Sequence, residues 1–109
     1  MAQFDVHRNK GALRESIPFV VVVQSAQFDR YRRRVVVPLV LQTLLPQSTP
    51  TVGGRMNPTF VFDGIRVVLH PLDMVSVAVD QLGEVVGSLA HEGQIMADAL
   101  DELLTRSWG

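Results

Sequence analysis

Residues 59–69, TFVFDGIRVVL, contain the clearest structural signal in the chain. Two runs rich in β-branched and aromatic residues, Thr59–Phe62 and Ile65–Leu69, flank the dipeptide Asp63-Gly64. Asp-Gly is favoured in two-residue hairpin turns because both central positions need a positive φ angle. The stretch therefore predicts an antiparallel β-hairpin.

Further strands are predicted on both sides of this hairpin. Residues 19–23 and 35–39 are continuous apolar runs of strand length, which is typical of strands covered on both faces. Residues 75–80 alternate valine with smaller or polar residues, as a half-buried strand does, and residues 3–8 can supply a first strand. Six strands without long intervening helices predict a mainly β chain with antiparallel pairing.

The carboxy-terminal part of the chain is predicted to be a helix. No Gly or Pro interrupts residues 94–107, and apolar residues recur four positions apart while Asp98, Asp101 and Glu102 lie on the opposite face. The residues of the predicted apolar face are Ile95, Met96, Ala99, Leu100, Leu103 and Leu104. Residues 9–16 and the Pro- and Gly-rich residues 46–58 are predicted to be loops.

Length and composition limit the possible architectures. A chain of 109 residues is enough for one domain, residues 1–109, with one modest core. The hydrophobic content of 47% is high for a short chain and indicates that apolar surface is buried in a homodimer. The net charge of -1 gives no overall field that would attract nucleic acid or an anionic membrane.

The absence of cysteine and of long apolar runs narrows the compartment and the chemistry. Disulfides, thiol nucleophiles and thiolate zinc sites are all excluded, which fits a reducing environment. The longest apolar run, residues 17–23, is too short to span a bilayer, and the first residues lack a signal-peptide pattern. We expect a cytoplasmic protein.

No pattern of catalytic or metal-binding residues stands out. His7, His70 and His91 have no second histidine or carboxylate at a spacing that would set up a metal site or a general base. The serines lack a nucleophile elbow of the type G-x-S-x-G. The sequence therefore predicts surface or structural histidines, no cofactor and no enzymatic activity.

Residues 30–34, RYRRR, form the one strong charge cluster, with four of the nine arginines around Tyr31. One interpretation is nucleic-acid binding, with arginines on phosphates and the aromatic ring on a base. The other is a solvated loop that leads into the Val35 strand, with Arg33 and Arg34 paired to carboxylates of the fold. The negative net charge favours the second interpretation.

The penultimate residue, Trp108, is unusual because a large aromatic side chain follows directly after an amphipathic helix. Chain ends fray unless contacts hold them. Tryptophan is highly buried on average and is also common at interface hot spots. Trp108 therefore either folds back into the core or contacts a partner.

Short motifs spread over almost the whole chain resemble the CcdB family of toxins in their order and nearly in their spacing. These motifs are Gln3-Phe4, Val23-Gln24-Ser25, Arg33-Arg34-Val35-Val36-Val37-Pro38-Leu39, Asp73-Met74-Val75-Ser76-Val77, Leu82-Gly83-Glu84-Val85-Val86, Leu89-Ala90-His91 and Trp108-Gly109. The resemblance implies a mainly β, SH3-like barrel of the CcdB/MazF type, with an antiparallel sheet, a small extra sheet and a C-terminal helix. It also implies a symmetric homodimer.

The resemblance further implies a non-enzymatic toxin of a type II toxin-antitoxin system. Such a toxin binds the A subunit of DNA gyrase and traps the cleaved DNA-gyrase complex, with Trp108 and Gly109 matching the first two residues of a terminal Trp-Gly-Ile. A CcdA-like antitoxin neutralises the toxin, and its disordered arm is expected on Gln24, Ser25, Phe28 and Trp108. Neither specific binding to nucleic acid nor contact with a membrane is implied.

Two features differ from the family pattern at the carboxy-terminal end. The sequence ends at Gly109 without the isoleucine, and the stretch from His91 to Trp108 is about three residues longer, close to one helical turn. These residues either extend the helix or form a loose tail. In addition, Phe28 stands where the family has an aliphatic residue, so a changed antitoxin specificity is expected.

Two other functions remain open. One is a MazF-like endoribonuclease toxin, with RNA phosphates held by residues 30–34. The other is a CcdB-fold relative that has lost gyrase poisoning and only binds antitoxin, because a shared fold alone is a weak argument for function.

Overall fold

The computed structural model describes residues 2–45 and 54–106. Within these residues, seven strands form one antiparallel sheet, followed by one α-helix. The elements are β1 (Asp5–Arg8), β2 (Phe19–Val22), β3 (Arg33–Leu41), β4 (Thr59–Phe62), β5 (Ile65–Leu69), β6 (Val75–Ala78), β7 (Val85–Ser88) and α1 (Gly93–Asp101). A π-helical turn, Glu102–Arg106, continues α1. The predicted fold class, mainly β with a C-terminal helix, is confirmed.

The predicted hairpin is present with the predicted bounds. β4 and β5 are paired from Thr59 opposite Val68 to Phe62 opposite Ile65. Asp63 and Gly64 have φ angles of 54° and 75°, the left-handed conformation that a two-residue hairpin turn requires.

β3 is the long central strand that joins the parts of the sheet. One edge pairs with β2, and the other pairs with β6 along residues 33–36 and with β5 along residues 39–41. Pro38, which has no N–H to donate, lies in the gap between β5 and β6 on that edge. The β4–β5 hairpin is thus continuous with the larger sheet rather than a separate small sheet.

β2 is buried on both faces, as its unbroken apolar sequence predicts. Phe19 and Val21 belong to the main core, which also contains Met96 and Ala99 of α1. Val20 and Val22 point to the opposite face, where Val36 completes a second cluster. Two half-buried residues pack on this second cluster: Val77 and Leu82.

Several strand bounds differ from the prediction; for example, β6 ends at Ala78 and a 3₁₀ turn, Val79–Gln81, replaces the end of the predicted strand 75–80. β1 begins only at Asp5, because Phe4 has a φ angle of 69° that breaks the extended backbone. β3 begins at Arg33, two residues earlier than predicted, because its first residues pair with β6. β7 was not predicted and pairs with β1, with Val6 opposite Gly87.

The helix buries a narrower stripe than predicted. Met96 and Ala99 are buried and Leu100 and Leu103 are half-buried, which is the i, i+3, i+4, i+7 spacing of one helix face. Ile95 and Leu104, which belong to the predicted apolar face, are exposed. The predicted loop at residues 9–16 contains turns, whereas residues 46–53 of the other predicted loop lie outside the described residues.

Candidate functional site

A cleft of about 290 Å³ lies beside the first residues of β3, and we call it the β3 cleft. It is formed by the segment that leaves β2, by the start of β3 and by β6. Its lining residues are Gln24, Phe28, Tyr31, Arg33, Arg34, Val35 and Ser76.

The segment after β2 is held against β3 by Gln24. The Val35 N–H donates to Gln24 Oε1 over 2.9 Å, which continues the contact between the two strands beyond the last β2–β3 pair, Val22 and Val36. A 3₁₀ turn, Ala26–Phe28, follows, and the carbonyl of Ser25 accepts the N–H of Phe28 over 3.1 Å. Gln24 therefore shapes the cleft as well as lining it.

Two aromatic rings and one valine give the cleft its apolar surface. The ring centroids of Phe28 and Tyr31 are 6.0 Å apart, with the ring planes tilted by 35°. Phe28 and Val35 are half-buried, whereas Tyr31 is 63% exposed. Because direct aromatic contact occurs at centroid distances of 4.5–7 Å, Phe28 supports one side of the exposed Tyr31 ring.

Arg34 is buried beneath the cleft, with only 1% of its surface exposed. Its Nη1 lies 2.9 Å from Asp29 Oδ1 at an angle outside that of a hydrogen bond, so this contact is an ion pair. Its Nη2 donates to the carbonyls of Gln24 and Ser25 over 3.4 and 3.3 Å. Arg34 therefore ties both ends of the 24–29 segment to β3.

Arg33 differs from the prediction because it contacts a serine and not a carboxylate. Its Nε donates to Ser76 Oγ over 2.8 Å, and its Nη2 donates to the Ser76 carbonyl over 2.6 Å. The pairing of β3 with β6, which sets Val35 opposite Ser76, explains this contact. The prediction was correct for Arg34, which pairs with Asp29, and wrong for Arg33.

The surface around the cleft carries a local positive charge. Arg30 and Arg32 are exposed, and neither forms an ion pair with a carboxylate in the described part of the chain. Residues 29–34 contain four arginines and one carboxylate, Asp29. This segment is therefore strongly cationic in a protein whose net charge is -1.

The three histidines lie in different local environments. His7 in β1 is 4% exposed, and its Nδ1 lies 2.9 Å from the Gly83 carbonyl. Nδ1 of His70 lies 3.1 Å from Asp73 Oδ2 without hydrogen-bond geometry, and His91 is exposed. Residues 2–45 and 54–106 contain no group of three or more His, Asp or Glu side chains able to hold a metal ion.

Three of the residues expected to contact an antitoxin come together at one end of the sheet. Gln24 and Phe28 line the cleft, and the carbonyl of Ser25 lies within reach of Arg34 beneath it. Trp108 and Gly109, the residues expected to contact gyrase, lie outside the described residues.

Tyr31 and Arg33 were candidates only for nucleic-acid binding by residues 30–34, and Ser76 was not a candidate for any site. The RYRRR cluster was visible as a charge signal, but its neighbour Ser76 is distant in sequence. Only the β3–β6 pairing brings Ser76 to the cleft.

The sequence of this chain matches one known protein family over most of its length. The CcdB protein family matches residues 3–106, nearly the whole chain. This chain belongs to the CcdB family. No curated protein matches its sequence.

Membership of the CcdB family identifies the chain as a toxin of a toxin-antitoxin system. In general terms, the family implies gyrase and antitoxin partners. None of the helices in the described part of this CcdB-family toxin is long and apolar enough to cross a membrane.

Proposed function

We propose that this CcdB-family toxin binds the A subunit of DNA gyrase as a homodimer, traps the cleaved DNA-gyrase complex and is neutralised by a CcdA-like antitoxin. The observation that carries the proposal is the family match over residues 3–106. Trp108 and Gly109 are assigned to gyrase, and Gln24, Ser25, Phe28 and Trp108 are assigned to the antitoxin.

The proposed poisoning needs no chemical step by the toxin. A ligand shifts a conformational equilibrium only as far as its affinities for the two states differ. A toxin that binds more tightly to gyrase with an open, cleaved DNA gate therefore raises the population of that state. A symmetric dimer presents two copies of Trp108, which offer rigid apolar area at low entropic cost to a two-fold cavity. Such binding accounts for trapped DNA breaks without catalysis.

The surroundings of the arginine cluster support a non-enzymatic toxin over an endoribonuclease. Cleavage of RNA by general acid-base catalysis needs positioned proton-transfer groups such as histidines or carboxylates. The β3 cleft is lined by neither. Arg34 is buried against Asp29, and two nitrogens of Arg33 donate to Ser76, so neither guanidinium is fully available to RNA phosphates.

The proposal is tested by a gyrase cleavage assay. Purified protein is incubated with gyrase, ATP and supercoiled plasmid, and detergent and protease are then added to release trapped breaks as linear DNA. We expect linear DNA with the wild type and at least about a tenfold loss with Trp108→Ala, since a tenfold change corresponds to about 1.4 kcal/mol of binding.

Val61→Ala is the matched control, because Val61 is an exposed apolar residue on β4. It should leave the yield of linear DNA unchanged. If the wild type yields no linear DNA in an assay where another CcdB-family toxin does, gyrase is not the target of this protein. Equal yields with the wild type and Trp108→Ala would remove Trp108 from the interface.

A further inference from the structure

A second pocket lies on the face of the sheet opposite the main core, and no step of the proposed function uses it. Most of its lining is apolar and comes from the second cluster and its surroundings: Ile17, Val20, Val36, Pro38, Val77 and Leu82. Lys10 also lines this pocket, which we call the Lys10 pocket. Among the described residues, it shares no lining residue with the β3 cleft, so it is a separate site.

The size of the Lys10 pocket fits one small apolar group. Its volume is about 150 Å³. An apolar cavity of about this volume holds a benzene-sized molecule, whereas pockets for larger ligands begin at about 300 Å³. Val20 and Val36 are buried at its base, and Val75, which also lines it, is 50% exposed, so the pocket is open to solvent on that side. An occupant therefore has an apolar body of about the size of one six-membered ring.

Lys10 is the only lysine in the chain, and its ammonium group is incompletely satisfied. Its Nζ donates to the carbonyl of Asp80 over 3.3 Å, which is a long hydrogen bond to the 3₁₀ turn Val79–Gln81. An ammonium group can donate three hydrogen bonds. Within residues 2–45 and 54–106, Lys10 forms no ion pair with a carboxylate. A carboxylate at the pocket would therefore find a charged donor with hydrogen bonds left to give.

The other charged residue of the lining, Arg8, already has a partner. Its Nε donates to Oε1 of Glu84 over 2.7 Å, so the charges of these two side chains cancel. The carboxylate of Asp80 does not line the pocket. Lys10 therefore gives the pocket a net positive charge, which is complementary to an anion.

The backbone around the pocket favours a small molecule over a polypeptide. The N–H of Gly83 donates to the carbonyl of Arg8 over 3.1 Å, and the N–H of Arg8 donates to the carbonyl of Glu84 over 2.9 Å. The N–H of Asn9 donates to the carbonyl of Pro18 over 3.0 Å. A peptide that binds as an added strand needs unpaired backbone groups along an edge, and these groups are already paired.

From these observations we propose that the Lys10 pocket binds a small organic carboxylate. Its apolar body lies against Val20, Val36 and Leu82, and its carboxylate accepts hydrogen bonds from Nζ of Lys10. Because such a ligand binds only the folded chain, it also stabilises the fold by mass action. The site is distinct from the residues assigned to gyrase and to the antitoxin.

The test follows backbone amide chemical shifts by two-dimensional NMR while small probes are added to the full chain. Benzoate has the proposed chemistry. Benzyl alcohol keeps the ring without the charge, benzylamine reverses the charge, and acetate keeps the charge without the ring. A neutral capped peptide, Ala-Ala-Phe-Ala-Ala, represents a polypeptide side chain as the occupant. Each probe is titrated at two protein concentrations, because a second copy that covers the pocket would compete with the probe at the higher one.

Two variants and two matched controls locate the binding site. Lys10→Gln removes the charge that holds the carboxylate, and Val75→Asp places a negative charge on the lining. Arg66→Gln on β5 and Val61→Asp on β4 make matching changes at exposed residues that do not line the pocket. Circular dichroism checks that each variant folds.

We expect benzoate to shift the amides of Ile17, Val77 and Leu82 in a saturable manner, with a Kd of about 1 mM for so small a ligand. Lys10→Gln should raise this Kd about three- to tenfold, and Val75→Asp should raise it at least about tenfold because like charges repel. The controls should change it less than about twofold, since distant exposed charges are screened. Benzyl alcohol and benzylamine should bind at least about fivefold more weakly, and acetate should cause no saturable shift because it lacks the apolar body.

The single lysine gives an independent measurement. Acetic anhydride acetylates free amines, and Lys10 carries the only side-chain amine of the chain. Saturating benzoate should slow the acetylation of Lys10 at least about threefold, as followed by mass spectrometry, because an ammonium group held by a carboxylate is less available as the free amine. The rate at the amino terminus is the internal control and should not change.

Any of five results would overturn the inference: no saturable shift with benzoate, equal binding of benzyl alcohol or benzylamine, tighter binding of the peptide, an unchanged Kd in Val75→Asp, or an unchanged acetylation rate at Lys10. A Kd for benzoate that rises with protein concentration would instead assign the pocket to a contact between copies of the chain, and it would overturn the inference as well. The inference does not rest on gyrase binding, so neither outcome of the gyrase cleavage assay affects it.

Discussion

The ion pair between Asp29 and Arg34 predicts an asymmetric response to mutation. Arg34 has no exposed side-chain surface, whereas the side chain of Asp29 is 38% exposed. Removing the aspartate charge by Asp29→Asn leaves a buried cation without its counter-charge. Removing the cation by Arg34→Met leaves a carboxylate that water can reach. We therefore expect Asp29→Asn to be the more destabilising change.

The magnitude follows from the burial of each partner. Breaking a fully buried pair costs about 3–5 kcal/mol of unfolding free energy, and the partial exposure of Asp29 lowers this to about 2 kcal/mol for Asp29→Asn. Arg34→Met loses two long hydrogen bonds but keeps an apolar stem in the same space, so we expect about 1 kcal/mol. For a chain of this size, about 2 kcal/mol corresponds to a fall in Tm of about 8 °C.

The assay is urea unfolding followed by circular dichroism at one protein concentration, because dimerisation would make stability depend on concentration. The double variant Asp29→Asn/Arg34→Met should be about as stable as Arg34→Met, since the pair is already broken. The loss caused by Asp29→Asn should persist at 0.5 M salt, because buried pairs are weakly screened. A larger loss for Arg34→Met than for Asp29→Asn would refute the reasoning.

Two glycines give further predictions that urea unfolding also checks. Gly64→Ala should lower the free energy of unfolding by about 1 kcal/mol, because the φ angle of 75° in the hairpin turn disfavours residues with a Cβ atom. Gly64→Asn should lower it less, because asparagine tolerates this conformation better, and equal losses for the two variants would contradict this explanation. Gly83→Ala should cost about 2 kcal/mol, because a Cβ atom there would collide with the backbone carbonyl of Arg8, which accepts the Gly83 N–H. Gly11→Ala is the comparison in an exposed turn, where a Cβ atom would meet a side-chain oxygen, Asn9 Oδ1, at 3.1 Å and no backbone atom. A stability loss at Gly83 no larger than at Gly11 would show that the backbone adjusts freely.

The parts of the fold that were predictable from sequence depend on local chemistry. Asp63 and Gly64 favour the turn conformation through their own backbone preferences, so this dipeptide was enough to predict the two strands of the hairpin. The unbroken apolar run of β2 indicated burial on two faces, which the two clusters around it confirm. These signals need no knowledge of distant residues.

β7 shows why other elements could not be predicted. Its sequence, Val85–Ser88, includes Gly87, and glycine weakens the signal for a strand. In the structure, the ring of Phe62 occupies the space where a Cβ atom of Gly87 would lie, at 2.6 Å from its Cζ. The glycine is thus explained by contact with a residue of β4 that lies far away in sequence.

The candidate site divides in the same way between local and distant signals. The charge of residues 30–34 was visible in the sequence, and the resemblance to CcdB toxins pointed to Gln24, Ser25 and Phe28. The role of Arg34 as a buried tie and the contact of Arg33 with Ser76 both depend on strand pairing. Sequence alone therefore indicated the candidate residues and the local positive charge but not which arginine side chains are buried and which are exposed.

The helix bears directly on the proposed gyrase contact. The additional residues between His91 and Trp108 either extend the helix or form a loose tail, and the backbone is helical through Arg106. The π-helical turn is wider than an α-helical turn because its backbone hydrogen bonds join residues five apart. Within this turn, Thr105 Oγ1 donates to the Asp101 carbonyl over 3.0 Å. Oε2 of Glu102 in this turn also lies 3.9 Å from Nε of Arg55, which makes an ion pair. Because Trp108 follows this turn by two residues, the cleavage assay on the wild type tests whether an extended helix still presents a tryptophan to a two-fold cavity.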